Sequence, residues 1–273
     1  MLVAKTCIVT GANSGMGRET ALALAQMKAN VVMVCRNKSK GETARREIAK
    51  KTGNETVDLL LCDLSSLAEV RRLAGEVQGR YREVHVLVNN AGVFSFSGKT
   101  VDGFETTFAV DYLAPFLLTN LLLELLKSSA PSRVVNVSSV AHFGGHVDLD
   151  AIAKGRSGSG WGAYSNSKLA LVMFTYELAR RLKGSGVTAN CLHPGGVATN
   201  MWRIPPVVMR PFLKSAREGA ETSIYLASAP EVEGLTGDYF EKKSAKRSSE
   251  ESYDENKARA LWDLTSKMVG LST

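Results

Sequence analysis

Tyr164 and Lys168 stand four residues apart in Tyr164-Ser-Asn-Ser-Lys168, a spacing that puts a phenol and an ammonium on one face of a helix. The pair suits proton transfer to or from an oxygen. A free phenol titrates at about 10, and lowering that by ~3 units corresponds to ~4 kcal/mol of preference for the phenolate. A neighbouring ammonium contributes with that sign. Upstream, Val137-Ser138-Ser139 ends a β-type run in two hydroxyls, at the carboxyl edge where open α/β sheets bind ligands. A serine there can hold a carbonyl oxygen beside the phenol.

A second constellation is suited to binding. Thr10-Gly-Ala-Asn-Ser-Gly-Met-Gly17 follows the first strand-like run and opens a helix. Gly11, Gly15 and Gly17 let the chain turn tightly and bring backbone close to a pyrophosphate, with Asn13, Ser14 and Met16 between them. The free N–H groups of the following helix would face the phosphates. An ordinary tight βα turn also uses glycines; the trailing second strand argues for the dinucleotide loop. At the end of that strand the NAD pattern wants an acid, and this chain has Cys35-Arg36-Asn37. A guanidinium suits a ribose 2′-phosphate through charge-assisted bonds, and Lys38 and Lys40 raise the local potential. NADP(H) is therefore expected and NAD(H) disfavoured by Arg36, the alternative being a solvent-facing arginine. Asp63-Leu64 closes the third strand, where a carboxylate can accept from an adenine amino group. Asn89-Asn90-Ala91-Gly92 closes the fourth. Bound in its oxidised form, the nicotinamide adds a second cation that favours the Tyr164 phenolate.

The elements that must position these residues alternate. Continuous β-branched runs at Val3–Thr10, Asn30–Cys35, Val57–Cys62, Val84–Asn89, Arg133–Ser138 and Val187–Leu192, with a weaker one at Leu235–Phe240, predict strands covered on both faces. Helix-period segments lie between them at Arg18–Ala29, Ser39–Lys51, Ser66–Tyr81, Glu105–Lys127 and Trp161–Lys183. Such alternation calls for a doubly wound α/β sheet. Lys242 to Asn256 is polar and turn-rich and is expected to form a mobile surface loop, ahead of a short amphipathic helix around Ala258–Val269.

Composition excludes several classes. The 273 residues are 44% hydrophobic and 22% charged, which argues against disorder. The apolar stretch Leu113–Leu126 is interrupted by Pro115, Asn120 and Glu124 and is too short to span a bilayer, which needs ~20 residues. The chain opens into a strand-like run with no leader pattern, so a cytoplasmic location is expected. A net charge of +7 invites a nucleic-acid reading, but no zinc-finger spacing or aromatic–basic platform supports one. Cys7, Cys35, Cys62 and Cys191 show no metal-like pairing and are expected to be buried free thiols. No metal site is expected.

The ordered set TGANSGMG, NNAG, VNVSS, YSNSK and HPGGVAT resembles the short-chain dehydrogenase/reductase family, over about residues 3 to 240. Cys35-Arg36, Ser138-Ser-Val-Ala-His142, the long Ser139-to-Tyr164 spacing, Leu192-His-Pro-Gly195, Gly237-Asp-Tyr-Phe240 and Leu261-Trp262 are similar to its retinol-dehydrogenase-like and WW-domain-oxidoreductase-like branch. The resemblance implies a single Rossmann-type doubly wound domain with a seven-stranded, mostly parallel sheet and helices on both faces. That domain spans 1–241 with a substrate lid at about 200–216, and 242–273 form an appended loop and helix. It implies Tyr164 as general acid/base, Lys168 binding the nicotinamide ribose and depressing the tyrosine pKa, and Ser139, the second serine, orienting substrate. Asn90, Ala91 and Gly92 would line the coenzyme groove, with Pro194, Gly195, Val197 and Thr199 on the nicotinamide side.

One position departs from the family. Its fourth catalytic residue is an Asn, and Phe108-Ala-Val-Asp-Tyr-Leu-Ala-Pro-Phe116 has Asp111 there. An ionised Asp only accepts where Asn also donates. Asp111 is expected to hold the water that the Asn would fix, with a raised pKa and with activity kept; a conservative swap tolerated by the helix kink is the alternative. Asn200–Lys214 sits where the family places its lid, and Met201, Trp202, Ile204, Val207, Val208, Met209 and Phe212 would line an apolar pocket unless the segment is a packed surface helix. His142, His146 and His193 are expected in backbone-bonded or loop roles. The expected activity is NADP(H)-dependent reduction or oxidation of a hydrophobic aldehyde, ketone or alcohol. The second reading is a catalytically weak NADPH-binding sensor, carried by Asp111 alone. Family habit implies a homodimer or homotetramer through the Glu105–Lys127 and Trp161–Lys183 helices. Membrane association, if any, would use the apolar lid or tail.

Overall fold

The computed structural model describes residues 2–96, 98–196 and 214–271. The first half runs β1 (Thr6–Thr10), α1 (Gly15–Gln26), β2 (Asn30–Cys35), α2 (Lys38–Thr52), β3 (Val57–Leu61), α3 (Leu67–Arg80) and β4 (Val86–Asn89). A helical turn α4 (Thr106–Phe108) then passes through a π-helical stretch (Ala109–Leu113) into α5 (Ala114–Leu121) and α6 (Leu123–Ser128). β5 (Ser132–Val137), a 3-10 turn (Val140–Gly144), α7 (Leu149–Ala153), α8 (Gly160–Arg181) and β6 (Val187–His193) follow. From residue 214 onward come α9 (Ala216–Ser228), β7 (Tyr239–Glu241), β8 (Ser244–Lys246) and α10 (Glu255–Met268).

The sheet order is β3-β2-β1-β4-β5-β6-β7-β8. All neighbours are parallel except the last pair, β7 and β8. The order reverses between β1 and β4, so a crevice opens there beyond the carboxyl ends of the strands. Alternate strand residues feed two cores. Ile8, Val32, Leu60, Leu87 and Val134 pack against α3, α5, α8 and α10. Cys7, Val9, Met33, Val88 and Val135 pack against α1, α2 and α9. The four cysteines are buried free thiols, as expected. Burial pushes Cys7, Cys35 and Cys62 up to about 12, which makes them unreactive. Among the described residues no helix is long and apolar enough to cross a membrane.

Among the described residues the sheet has eight strands rather than seven. The extra strand lies inside the span expected to be a loop. Lys242 and Lys243 take positive φ angles of 51° and 64°, the two-residue turn that matches hairpin twist, and lysines give no sign of it in sequence. The rest of that span is anchored as well. The Tyr176 hydroxyl meets Ser248 Oγ at 2.7 Å, Ser248 Oγ meets Ser252 Oγ at 2.6 Å, and Glu251 accepts from Val147 N–H. The expected long helix Glu105–Lys127 is divided. Pro115 has no N–H for the Asp111 carbonyl four residues back, and its ring crowds that carbonyl. The helix opens locally to the π form, with Ala114 N–H donating to Ala109.

α10 is built into the core. Trp262 packs on Phe116 and Phe174 with ring centroids 5.0 and 5.6 Å away, Thr265 Oγ1 meets Tyr112 Oη at 2.7 Å, and Arg71 donates to the Gly270 carbonyl at 2.8 Å. From Ser167 through Ala179 every residue of α8 is buried.

Candidate active site

The loop after β1 enters α1 at Ser14, whose side chain makes no capping hydrogen bond. Helices α2, α3, α9 and α10, by contrast, are capped by Asn37, Ser66, Ser215 and Asp254. The first N–H groups of α1 are thus left for an anion. Gly15, at φ +55°, has nothing within 4 Å of where a Cβ would stand, so the backbone borders open space. That space is a cleft of about 870 Å³ lined by Gly11, Asn13, Ser14, Gly15, Met16, Gly17, Arg36, Asn37, Lys40, Asp63, Leu64, Asn90, Ala91 and Gly92. The uncapped helix, the glycine cradle and the clustered cations fit a phosphate-bearing dinucleotide.

Individual walls are fixed from within. Thr10 Oγ1 accepts from Asn90 N–H and Ala91 N–H at 3.0 Å each, and Asn90 Nδ2 donates to the Thr10 carbonyl at 2.8 Å. Asp63 Oδ1 accepts from Ser65 N–H and hydroxyl at 3.0 and 2.7 Å, which holds its carboxyl at the wall. Asn37 Oδ1 accepts from Lys40 N–H at 2.9 Å. Arg36 enters no ion pair among the described residues.

At the carboxyl ends of β4 and β5 the catalytic candidates meet. Ser138 Oγ donates to the Lys168 carbonyl at 3.0 Å, locking α8 to β5. The first serine of the pair is therefore structural. Ser139, the second, stands close enough to the Tyr164 phenol to lower its pKa. Lys168 Nζ donates to the Val137 carbonyl at 3.1 Å, lies 3.0 Å from Asp111 Oδ2, and is 5.5 Å from the centre of the Tyr164 ring. Asp111 Oδ1 accepts from Val93 N–H at 2.8 Å. Gly92 makes room for the ion pair: a Cβ there would stand 3.3 Å from Asp111 Oδ2 and 3.6 Å from Lys168 Nζ.

The electrostatics follow from burial. Burial drives the Asp111 carboxyl up, against the pull of Lys168 and the Val93 N–H. Burial lowers Lys168, but Asp111 and Tyr164 outweigh it and keep the ammonium charged. Burial also raises the Tyr164 phenol; Lys168 and Ser139 lower it, and Asp111 raises it further. The expectation that Lys168 depresses the tyrosine holds for the sign of its own contribution. The net shift is upward, because the site is dry and Asp111 offsets much of the ammonium's field. Without coenzyme, Tyr164 is a protonated acid.

A family model described as short chain dehydrogenase matches residues 5–204. The chain belongs to the short-chain dehydrogenase family. Within it the chain falls in the retinol-dehydrogenase-like branch: it is 45% identical over 291 residues to human retinol dehydrogenase 14, covering 98% of this chain and 87% of that protein. Among solved structures, an uncharacterised protein from Mycobacterium paratuberculosis aligns with a TM-score of 0.83 at 35% identity, over 99% of this chain and 95% of the other. A Pseudomonas aeruginosa RhlG/NADP active-site complex aligns with a TM-score of 0.72 at 26% identity, over 88% and 94%.

Of the short-chain dehydrogenase positions, Pro194 and Gly195 follow β6 directly and lie outside the cleft lining. Val197, Thr199 and the lid residues Met201, Trp202, Ile204, Val207, Val208, Met209 and Phe212 lie outside the described residues. Gly196 and Lys214, which flank that stretch, are joined by a hydrogen bond in which Lys214 N–H donates to the Gly196 carbonyl at 2.8 Å. Sequence reading missed an aromatic wall. Phe94 stands edge-on to Tyr164 at 5.8 Å and Trp161 lies 5.7 Å from it, with Phe96 against Phe94 at 5.0 Å. Phe96 is 76% and Trp161 52% exposed, as are Val140 (52%) and Phe143 (54%) beside Ser139. Exposed apolar groups grouped in this way are of the kind that form contact surfaces for other molecules.

Proposed function

We propose that this chain is an NADP(H)-dependent oxidoreductase of the retinol-dehydrogenase-like branch, acting on a hydrophobic aldehyde, ketone or alcohol. The observation that carries the reading is the meeting of Tyr164, Ser139 and Lys168 at the strand ends, joined to the cleft through Gly92 and Phe94. Coenzyme bound in the cleft would supply or take the hydride. Gly11–Gly17 and the N-terminus of α1 would hold its pyrophosphate, Arg36 and Lys40 its 2′-phosphate, and Asp63 its adenine. The RhlG/NADP likeness supports a phosphorylated coenzyme.

In reduction, Ser139 holds the substrate oxygen and Tyr164 gives it a proton, while Lys168 stabilises the phenolate that results. In oxidation Tyr164 accepts the proton instead. A cytoplasmic coenzyme pool would favour reduction. The aromatic wall supports an apolar substrate. The test is NADPH oxidation by purified protein across aliphatic, aromatic and retinoid aldehydes, with NADH alongside. Turnover with NADPH is expected; NADPH binding with silence across the panel would favour the sensor reading instead.

Two further outcomes follow from the geometry. Trp161→Ala should raise KM for aromatic and long-chain aldehydes about tenfold, the value of one aromatic contact, and leave short aldehydes within about twofold; equal effects on both would remove Trp161 from the substrate path. Asp111→Asn removes the carboxylate that offsets Lys168, so the Tyr164 pKa falls. The acid limb of kcat for alcohol oxidation, which needs phenolate, should move to lower pH. Peak turnover should change less than about a hundredfold. An unmoved limb would mean that Asp111 does not act on Tyr164 through Lys168.

A further inference from the structure

Ser139 does not stand alone at the end of β5. Its carbonyl accepts from His142 Nδ1 at 2.7 Å and from His142 N–H at 3.1 Å, and its hydroxyl accepts from Ala141 N–H at 3.2 Å. The other face of the same imidazole is also used: Nε2 accepts from Ser249 N–H at 3.1 Å. Ser249 opens the 3-10 turn Glu250–Tyr253 in the C-terminal segment. His142 is fully buried, its ring against Phe143 at 4.2 Å and Tyr239 at 4.8 Å. A second imidazole holds the next residue, His193 Nδ1 accepting from Val140 N–H at 3.1 Å.

These bonds dictate a protonation state. An imidazole that donates from Nδ1 and accepts at Nε2 is neutral, in the Nδ1–H tautomer. Burial lowers the pKa of His142, against the pull of the Ser139 carbonyl, which agrees. A single neutral ring thus bridges two segments that are 107 residues apart in sequence.

We propose that His142 is a positioning residue, whose imidazole ties the C-terminal segment at Ser249 to the backbone that carries Ser139 and so sets where the Ser139 hydroxyl stands. The proposal rests on the oxidoreductase reading, in which that hydroxyl holds the substrate oxygen. It gives the span after β7 a part in the chemistry although none of its residues is placed at the reacting atoms.

Three replacements separate the two legs of the bridge. Asn keeps a donor near the Nδ1 position and loses the reach to Ser249; Gln keeps an acceptor near Nε2 and loses the donor to Ser139; Ala loses both. His142→Ala and His142→Gln should lower kcat about tenfold or more with KM for NADPH unchanged, as expected when an oxygen-holding group is misplaced. His142→Asn, which keeps only the leg to Ser139, should lower kcat severalfold, as Ser249→Pro does, and stop short of the loss in His142→Ala. Ser249→Pro removes the N–H together with a hydroxyl that has no hydrogen-bond partner among the described residues, and it suits the backbone, since Ser249 already sits at φ −62°, the angle proline fixes. It should lower kcat severalfold by freeing the ring at Nε2.

Hydrogen exchange at the Val140 and Ala141 amides supplies a readout that needs no turnover. It should quicken in His142→Gln and not in His142→Asn. This arm decides the proposal even if the native protein reduces nothing on the panel, an outcome that would sink the enzyme reading alone. Equal kcat and equal exchange in all four variants would overturn the proposal. So would a uniform loss of folded protein in which Asn rescues nothing.

Discussion

Tyr164→Phe should leave the protein able to bind NADPH and able to reduce no aldehyde faster than about a thousandth of the native rate, within the range for losing a positioned acid or base. The change removes one oxygen. The ring, buried beside Phe94, Trp161 and the Lys168 ammonium, keeps its packing, so folding should be nearly unaffected. What disappears is the proton that the substrate oxygen needs as hydride reaches its carbon, together with the phenol oxygen beside Ser139. Quenching or transfer of NADPH fluorescence measures binding separately from turnover. Residual activity within tenfold of native would move the acid role to another group and undo the mechanism.

The second large effect lies at the opposite end of the cleft. Arg36→Glu should change the ratio of kcat/KM for NADPH to that for NADH by on the order of a thousandfold, since a bidentate, charge-assisted contact is exchanged for repulsion between two anions. Most of the change should be loss with NADPH, with NADH gaining a ribose acceptor. Lys40, on the same wall, retains part of the attraction. Measuring both coenzymes with one aldehyde checks this. A ratio that stays within about threefold would mean that the guanidinium faces solvent and that coenzyme choice is made elsewhere.

The parts of this site that were legible in the sequence are those whose spacing is local. Tyr164 and Lys168 share a helix face whatever else the fold does, and the glycines at 11, 15 and 17 announce a loop that no other residue types would build. Strands covered on both faces announce themselves by continuous apolar runs. The pairing of Asp111 with Lys168 was not readable, because it depends on a π-helical opening ahead of Pro115 and on the bare α-carbon of Gly92. The aromatic wall draws on Phe94, which only the sheet topology brings to the Tyr164 phenol, whereas Trp161, three residues before it on α8, could have been read from spacing and was passed over. α9 carried a readable signal that was passed over, the capping box Ser215-Ala-Arg-Glu218. The β7–β8 hairpin carried none, since its turn is made by two lysines.

The placement of α10 reaches beyond packing. The family resemblance carries the expectation that two copies join along the helices that bear Tyr164 and Asp111. Here Trp262, Leu261 and Thr265 cover Phe116, Tyr112 and Phe174 on those same helices, and Arg181 lies 4.3 Å above the Trp262 ring. A buttress attached by the chain itself works at a fixed effective concentration. The support of α8, and with it the height at which Tyr164 and Lys168 stand, therefore does not fade on dilution.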